Sequence, residues 1–255
     1  MKVNIEKTKQ NLIEWIRDWF SKNGNENTKA VLGISGGKDS TICAALLCEA
    51  LGKDRVLGVL MPNNVQSDIN DSLEVVKHLD MPYTIINIGS AYNPLSEEIE
   101  KSLANSKIEY TFNSQYKTNT PSRLRMVTLY GVGALVGNTR ICNTGNFSEA
   151  MIGYTTLYGD FAGDFAPICK LTKSEVVAIG DLLDLPPHLV HKAPGDGMSG
   201  KTDEDNIGFS YDELDDYLRN GVKGDKFNLI ENKIKFSEFK RRILNVPAFT
   251  NIAEE

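Results

Sequence analysis

Gly33-Ile34-Ser35-Gly36-Gly37-Lys38-Asp39-Ser40 follows a short apolar run, Ala30-Val31-Leu32, and precedes an apolar segment from Thr41 to Leu51. A strand that ends in Ser-Gly-Gly and hands over to a helix builds a cradle for an anion. The glycines let the backbone approach bound oxygens closely. The turn and the helix N-terminus then aim N–H groups at them. The pattern is not a Walker loop, in which Ser or Thr follows the Lys. Here Asp39 follows Lys38, and Leu32 stands where the opening Gly would be. An acid inside a phosphate cradle needs a reason, and the usual one is a metal ion that bridges it to the phosphates. The plain alternative is a glycine-rich turn with an Asp/Ser helix cap.

Strands and helices alternate outward from this octet. Strands are predicted at 30–34, 56–61, 83–88 and 140–144, and helices at 41–51, 67–79, 94–103 and 121–136. Near-continuous apolar strands separated by helices imply a parallel sheet covered on both faces. An amphipathic helix over 4–22 precedes them, with Leu12, Ile13, Ile16, Trp19 and Phe20 at helical spacing. The stretch 108–120 is polar and reads as a loop, with Thr120 capping a helix whose first turn holds Pro121. Another strand-to-helix turn follows at Gly145-Asn146-Phe147-Ser148-Glu149, and 155–165 reads as a site loop. Capping boxes start helices at Thr172 (with Glu175) and at Ser210 (with Glu213), and a last helix runs over 227–244. The segment 193–206 is rich in glycine and acid and reads as a mobile loop or lid. The whole of 1–255 is expected to form a single domain.

Composition excludes several classes. The chain has 255 residues, is 41% hydrophobic and 24% charged, which is ordinary globular usage, and carries a formal net charge of -6. That charge weighs against an extended nucleic-acid surface. No apolar run approaches the length of a membrane span, and no signal-peptide core is evident. Cys43, Cys48, Cys142 and Cys169 form no Cys-x-x-Cys pair, so neither a zinc knuckle nor a redox motif is expected. His188 and His191 lack the Glu of a zinc-protease helix. A cytoplasmic enzyme is the simplest expectation.

The octet resembles the pyrophosphatase loop of ATP enzymes that cleave between the α- and β-phosphates. Further motifs narrow the choice: Thr144-Gly145-Asn146-Phe147-Ser148-Glu149, Tyr158-Gly159-Asp160, Pro121-Ser122-Arg123-Leu124-Arg125-Met126, Lys201-Thr202-Asp203-Glu204 and Lys240-Arg241-Arg242. Together, over almost the whole chain, they resemble the ammonia-dependent NAD synthetases. The resemblance implies a doubly wound, mainly parallel five-stranded sheet of the adenine nucleotide alpha-hydrolase type. It implies ATP bound by Gly33, Ile34, Ser35, Gly36, Gly37, Lys38, Asp39 and Ser40, with Thr144, Lys173 and Gly195. It implies Mg²⁺ held by Asp39 and Glu149, and a dinucleotide acceptor met by Arg123, Asp164, Lys240 and the positions of Leu157 and Phe239. Lys38 and Lys173 would offset charge on the leaving pyrophosphate, and Asp164 would accept a proton from ammonium.

The implied reaction is amidation of nicotinic acid adenine dinucleotide (deamido-NAD) by ammonia. It yields NAD, AMP and pyrophosphate through an acyl-adenylate, in a homodimer. No glutaminase domain is expected, so free ammonia is the implied nitrogen source. Three positions depart from the common pattern: Leu157 where a Lys is frequent, Gly195 where a hydroxyl is, and Phe239 where His is. Other acceptors stay open, namely nicotinic acid mononucleotide, a purine nucleotide or tRNA, as does a non-catalytic nucleotide sensor.

Overall fold

The computed structural model describes residues 3–66, 69–192, 202–243 and 249–253. Four parallel strands form its sheet in the order β3-β2-β1-β4. They are β1 (Lys29–Gly33), β2 (Val56–Leu60), β3 (Tyr83–Ile85) and β4 (Thr139–Ile141). The chain leaves β1 for β2 and β3 on one side, then returns past β1 to β4 on the other. That reversal lies between β1 and β4. In an open parallel sheet, the crevice beyond the strand ends at such a reversal is where ligands bind.

Helices cover both faces. One layer gathers α1 (Ile5–Asn23), α2 (Lys38–Leu51), α3 (Ile69–His78), α7 (Lys173–Gly180) and α8 (Pro187–Val190). Leu12, Ile16, Phe20, Ile42, Leu46, Val176 and Ile179 interlock there with Ala30 and Leu32 of β1. The other face packs Val31, Val59 and Ile141 against Met126 and Leu129 of α5 (Ser114–Val136). Helix α4 (Gly89–Asn105) lies beside α5. A third apolar cluster joins α6 (Phe147–Ile152), α9 (Asp203–Ile207), α10 (Tyr211–Asn220) and α11 (Phe227–Phe236), with α12 (Glu238–Ile243) against α6.

Several expectations need correction. Among the described residues the sheet has four strands, not five. The place beyond β4 is taken by a single parallel bridge between Cys142 and Phe165. Gly163, at φ 158°, brings the chain up against Asn143, and Pro167 follows two residues past the bridge, so pairing does not extend. The polar stretch before Pro121 is partly helical. Asn113 caps α5 by accepting the Tyr116 N–H at 2.9 Å, and Pro121 lies well inside the helix. An interior proline costs about 3 kcal/mol in a helix; here its ring is buried, with Met126 and Leu129 anchoring the turns that follow. Arg123 is therefore a mid-helix residue. The last helix breaks at Ser237 into α11 and α12. Of the expected loop 193–206, residues 193–201 lie outside the described residues, and 203–206 belong to the capped helix α9. Both capping boxes, at Thr172 and Ser210, are present as predicted.

Candidate active site

The octet crosses from β1 to α2 as a turn stitched by its own hydroxyls. Ser35 Oγ lies 3.0 Å from Ser40 Oγ, Gly37 N donates to Ser35 Oγ at 3.1 Å, and Thr41 Oγ1 donates to Gly37 O at 2.8 Å. These bonds fix the turn before any ligand arrives. Gly36 has φ 76°, and a Cβ there would fall 2.9 Å from Ser72 N and Asp71 Cβ. Only glycine fits both that backbone and that approach to α3.

Beyond β4, a second turn brings Glu149 to the same place. Asn146 caps α6 by accepting the Glu149 N–H at 3.0 Å, and its Nδ2 donates to Asp39 Oδ1 at 3.2 Å. One buried amide thus ties the two turns together. Between them lies the ammonium of Lys173, the first residue of α7. Its Nζ is 2.7 Å from Asp39 Oδ2 and 2.7 Å from Glu149 Oε1. The ring of Tyr211 closes over it, with its centroid 5.1 Å from Nζ.

Burial and charge set the protonation states. Burial pushes the Glu149 carboxyl up to about 7, and Asp39 adds to this, against the pull of Lys173. Burial opposes the Lys173 charge, but Glu149 and Asp39 outweigh it and hold its pKa well above the ordinary value. Lys38 moves down, first from burial and then from the nearby Lys173.

Two carboxylates from separate turns sharing one cation make a hard oxygen pair of the kind Mg²⁺ takes. Among the described residues no set of three His, Cys, Asp or Glu could hold a metal. An ion at Asp39 and Glu149 would therefore draw its remaining ligands from water and phosphate, which suits Mg²⁺ and a triphosphate. The donor set fits the group.

A cleft of ≈ 440 Å³ opens here. Gly33, Ile34, Ser35, Gly37, Lys38, Asp39, Ser40, Thr144, Glu149 and Lys173 all line it, with Gly36 at the turn's back against α3. Gly195 lies outside the described residues. The acceptor candidates gather elsewhere. Arg123 Nε donates to Leu157 O at 3.1 Å, and Lys240 Nζ donates to Gly153 O at 2.7 Å. Asp160 stands near Lys240 and reaches the cleft edge beside Ser122. Phe239 is exposed. Asp164 does not line the cleft: its carboxylate accepts from Tyr130 Oη at 2.9 Å and Ile141 N at 2.7 Å, beside Trp19 and Arg140.

Sequence reasoning quoted Asp203 and Arg125 within motifs but gave neither a role: Asp203 lines the cleft and accepts from Tyr154 Oη at 3.2 Å, and Arg125 lines it and donates to Met61 O. It missed Tyr211, whose buried hydroxyl has no hydrogen-bond partner among the described residues. Thr202 and Ser210 as caps were the available signal, since each places the next residue at a helix start that faces the cleft.

The family model described as NAD synthase matches residues 8–244. An NH(3)-dependent NAD(+) synthetase of Thermococcus sibiricus is 38% identical over 223 residues, which is 87% of this chain and 80% of that one. Among solved structures, an NMN synthetase from Francisella tularensis superposes with TM-score 0.84 at 30% identity, covering 96% of this chain and 99% of its own. An NH3-dependent NAD synthetase from Campylobacter jejuni superposes with TM-score 0.74 at 26% identity, covering 95% and 98%.

Proposed function

The chain belongs to the NAD synthase family, and from that membership we propose that it amidates the carboxylate of deamido-NAD with ammonia at the expense of ATP. The observation that carries this reading is the Asp39–Lys173–Glu149 constellation beside the phosphate turn. ATP would lie with its phosphates on residues 33–40. When bound between Asp39 and Glu149, Mg²⁺ would supply positive charge to the phosphate oxygens. The acceptor carboxylate attacks the α-phosphorus, the bond to the β-phosphate oxygen breaks, and pyrophosphate leaves. Lys38 and Lys173 offset the charge that collects on it. Ammonia then attacks the acyl carbon, AMP departs, and one proton is lost from the nitrogen. The turn is held by its own hydrogen bonds, so the protein's contribution is largely placement.

The acceptor residues favour a homodimer. Arg123, Val127 and Tyr130 follow one another along the exposed face of α5, and Tyr130 holds Asp164. Leu135 lies exposed near the end of the same helix. A second copy against this face would cover the apolar side chains and enclose an acceptor lying on Arg123 and Asp164. The four cysteines are all free, which suits a reducing cytoplasm.

A second reading keeps the chemistry and shortens the acceptor to nicotinic acid mononucleotide. Leu157 supports it, because it offers only a carbonyl to Arg123 where a lysine would add a cation for a second phosphate. The likeness to an NMN synthetase points the same way. The test is purified protein with ATP, Mg²⁺ and ammonium, scored for AMP and amide with each acceptor. Higher kcat/KM on the dinucleotide supports the first reading, and higher kcat/KM on the mononucleotide supports the second. Turnover on neither sinks both.

A further inference from the structure

Helix α10 turns a polar stripe inward. Tyr211, Asp215 and Arg219 recur every four residues and so stack on one face. The three meet three successive residues at the start of α7. Tyr211 covers the Lys173 ammonium, Asp215 takes Ser174, and Arg219 pairs with Glu175 at 2.6 Å.

Asp215 does more than join two helices. Its Oδ2 accepts from Ser174 N at 2.8 Å and from Ser174 Oγ at 2.6 Å. Its Oδ1 accepts from Ser148 Oγ, and that same Ser148 oxygen accepts the Lys173 backbone N–H at 3.0 Å. The bonds close a ring: Asp215, Ser148, Lys173 N, Ser174 and back to Asp215. Ser148 directly precedes Glu149, and Ser174 directly follows Lys173. One carboxylate therefore grips both elements that deliver the Lys173–Glu149 ion pair, one residue away from each functional side chain. Asp215 is only 6% exposed, and burying a carboxylate is costly unless it is fully hydrogen-bonded. Apolar packing would stabilise these helices at least as well. What an apolar side chain cannot do is fix the register of α6 against α7.

We propose that Asp215 is a positioning residue of this site, acting through Ser148 and Ser174 to set the spacing of Glu149 and Lys173 and so the preference of the cleft for metal-bound over free triphosphate. The inference rests on the ATP and Mg²⁺ reading of the cleft.

The experiment is calorimetric titration of the full chain with ATP, once with Mg²⁺ and once with EDTA, for wild type, Asp215→Asn, Ser148→Ala and the double variant. Asparagine keeps the size, but whichever way its amide turns, the NH2 faces a group that donates to the carboxylate in wild type, so that bond must reverse or be lost. Wild type should bind ATP more tightly with Mg²⁺. Each single variant should lose about tenfold to a hundredfold of that gain, with affinity in EDTA little changed. The double variant should be no worse than the worse single, because both act through one relay. Should Asp215→Asn fail to fold, Ser148→Ala, which removes one small hydroxyl, carries the test alone. A folded variant that keeps the wild-type ratio of the two affinities, whatever its melting temperature, overturns the proposal. The titration needs no acceptor, so a failure of the amidation reading would appear in turnover and leave this result standing.

Discussion

At the scale of single residues, the pH behaviour expected of the proposed metal site turns on Glu149. Its carboxyl is pushed up to about 7, first by burial. A raised carboxyl pKa means that the group is neutral below about 7 and charged above, and a metal needs the charged form. The Mg²⁺ concentration that half-saturates turnover should therefore fall as pH rises from about 6 to about 8. A flat profile would remove Glu149 from the metal site. Asp39→Asn keeps the side chain's size and leaves Lys173 paired with Glu149, so it should fold at a lower melting temperature, and it should make no AMP. Wild-type turnover in that variant would sink the metal assignment. Asp39 stands out in the chain because an acid sits inside a phosphate-type turn between a strand and a helix, whereas Glu149 is named through the family resemblance. Asp203, Tyr211 and Asp215 do not stand out, because an acid or tyrosine in an amphipathic helix reads equally well as a solvated face. Only the packing of α9 and α10 against the cleft distinguishes them.

At the scale of elements, the N-terminus of α7 is the keystone. Its capping box holds the first turn, and Glu175 is shared between the Thr172 N–H at 2.8 Å and Arg219. Arg219→Ala would leave a mostly buried carboxylate with its cation removed. Loss of one partner from a buried pair costs about 3 kcal/mol or more, so thermal denaturation should show a drop of several degrees. A shift under one degree would mean that solvent screens this pair. Capping boxes were readable because their chemistry is local. The start of α5 was not. Proline is so often a first-turn residue that Pro121 reads as the start of the helix, whereas packing by Met126 and Leu129 anchors the turns beyond it. The missing fifth strand has a similar cause. Nothing in the local pattern of 163–167 reports how closely Gly163 must approach Asn143.

At the scale of the whole molecule, the strand reversal between β1 and β4 brings together two turns far apart in the chain, with 107 positions between Asp39 and its partner Asn146. The alternation of strands and helices made that reversal foreseeable in kind, though strand order is not written in any single segment. The exposed face of α5 has its own consequence. Leu135→Glu should shift the protein toward monomer in sedimentation and raise the KM for the acceptor more than that for ATP. An unchanged sedimentation coefficient would place any subunit contact elsewhere. The lysine between the two carboxylates has a last implication, for how such a protein is made. Opposed acids at a centre normally need an ion before they tolerate one another, so many metalloproteins must be loaded in order to mature. This chain supplies its own placeholder. On the proposed reading, a newly synthesised copy would finish folding where magnesium is scarce, with Lys173 holding Asp39 and Glu149 together. Chelation should then stop turnover and leave the melting temperature of the nucleotide-free protein where it was.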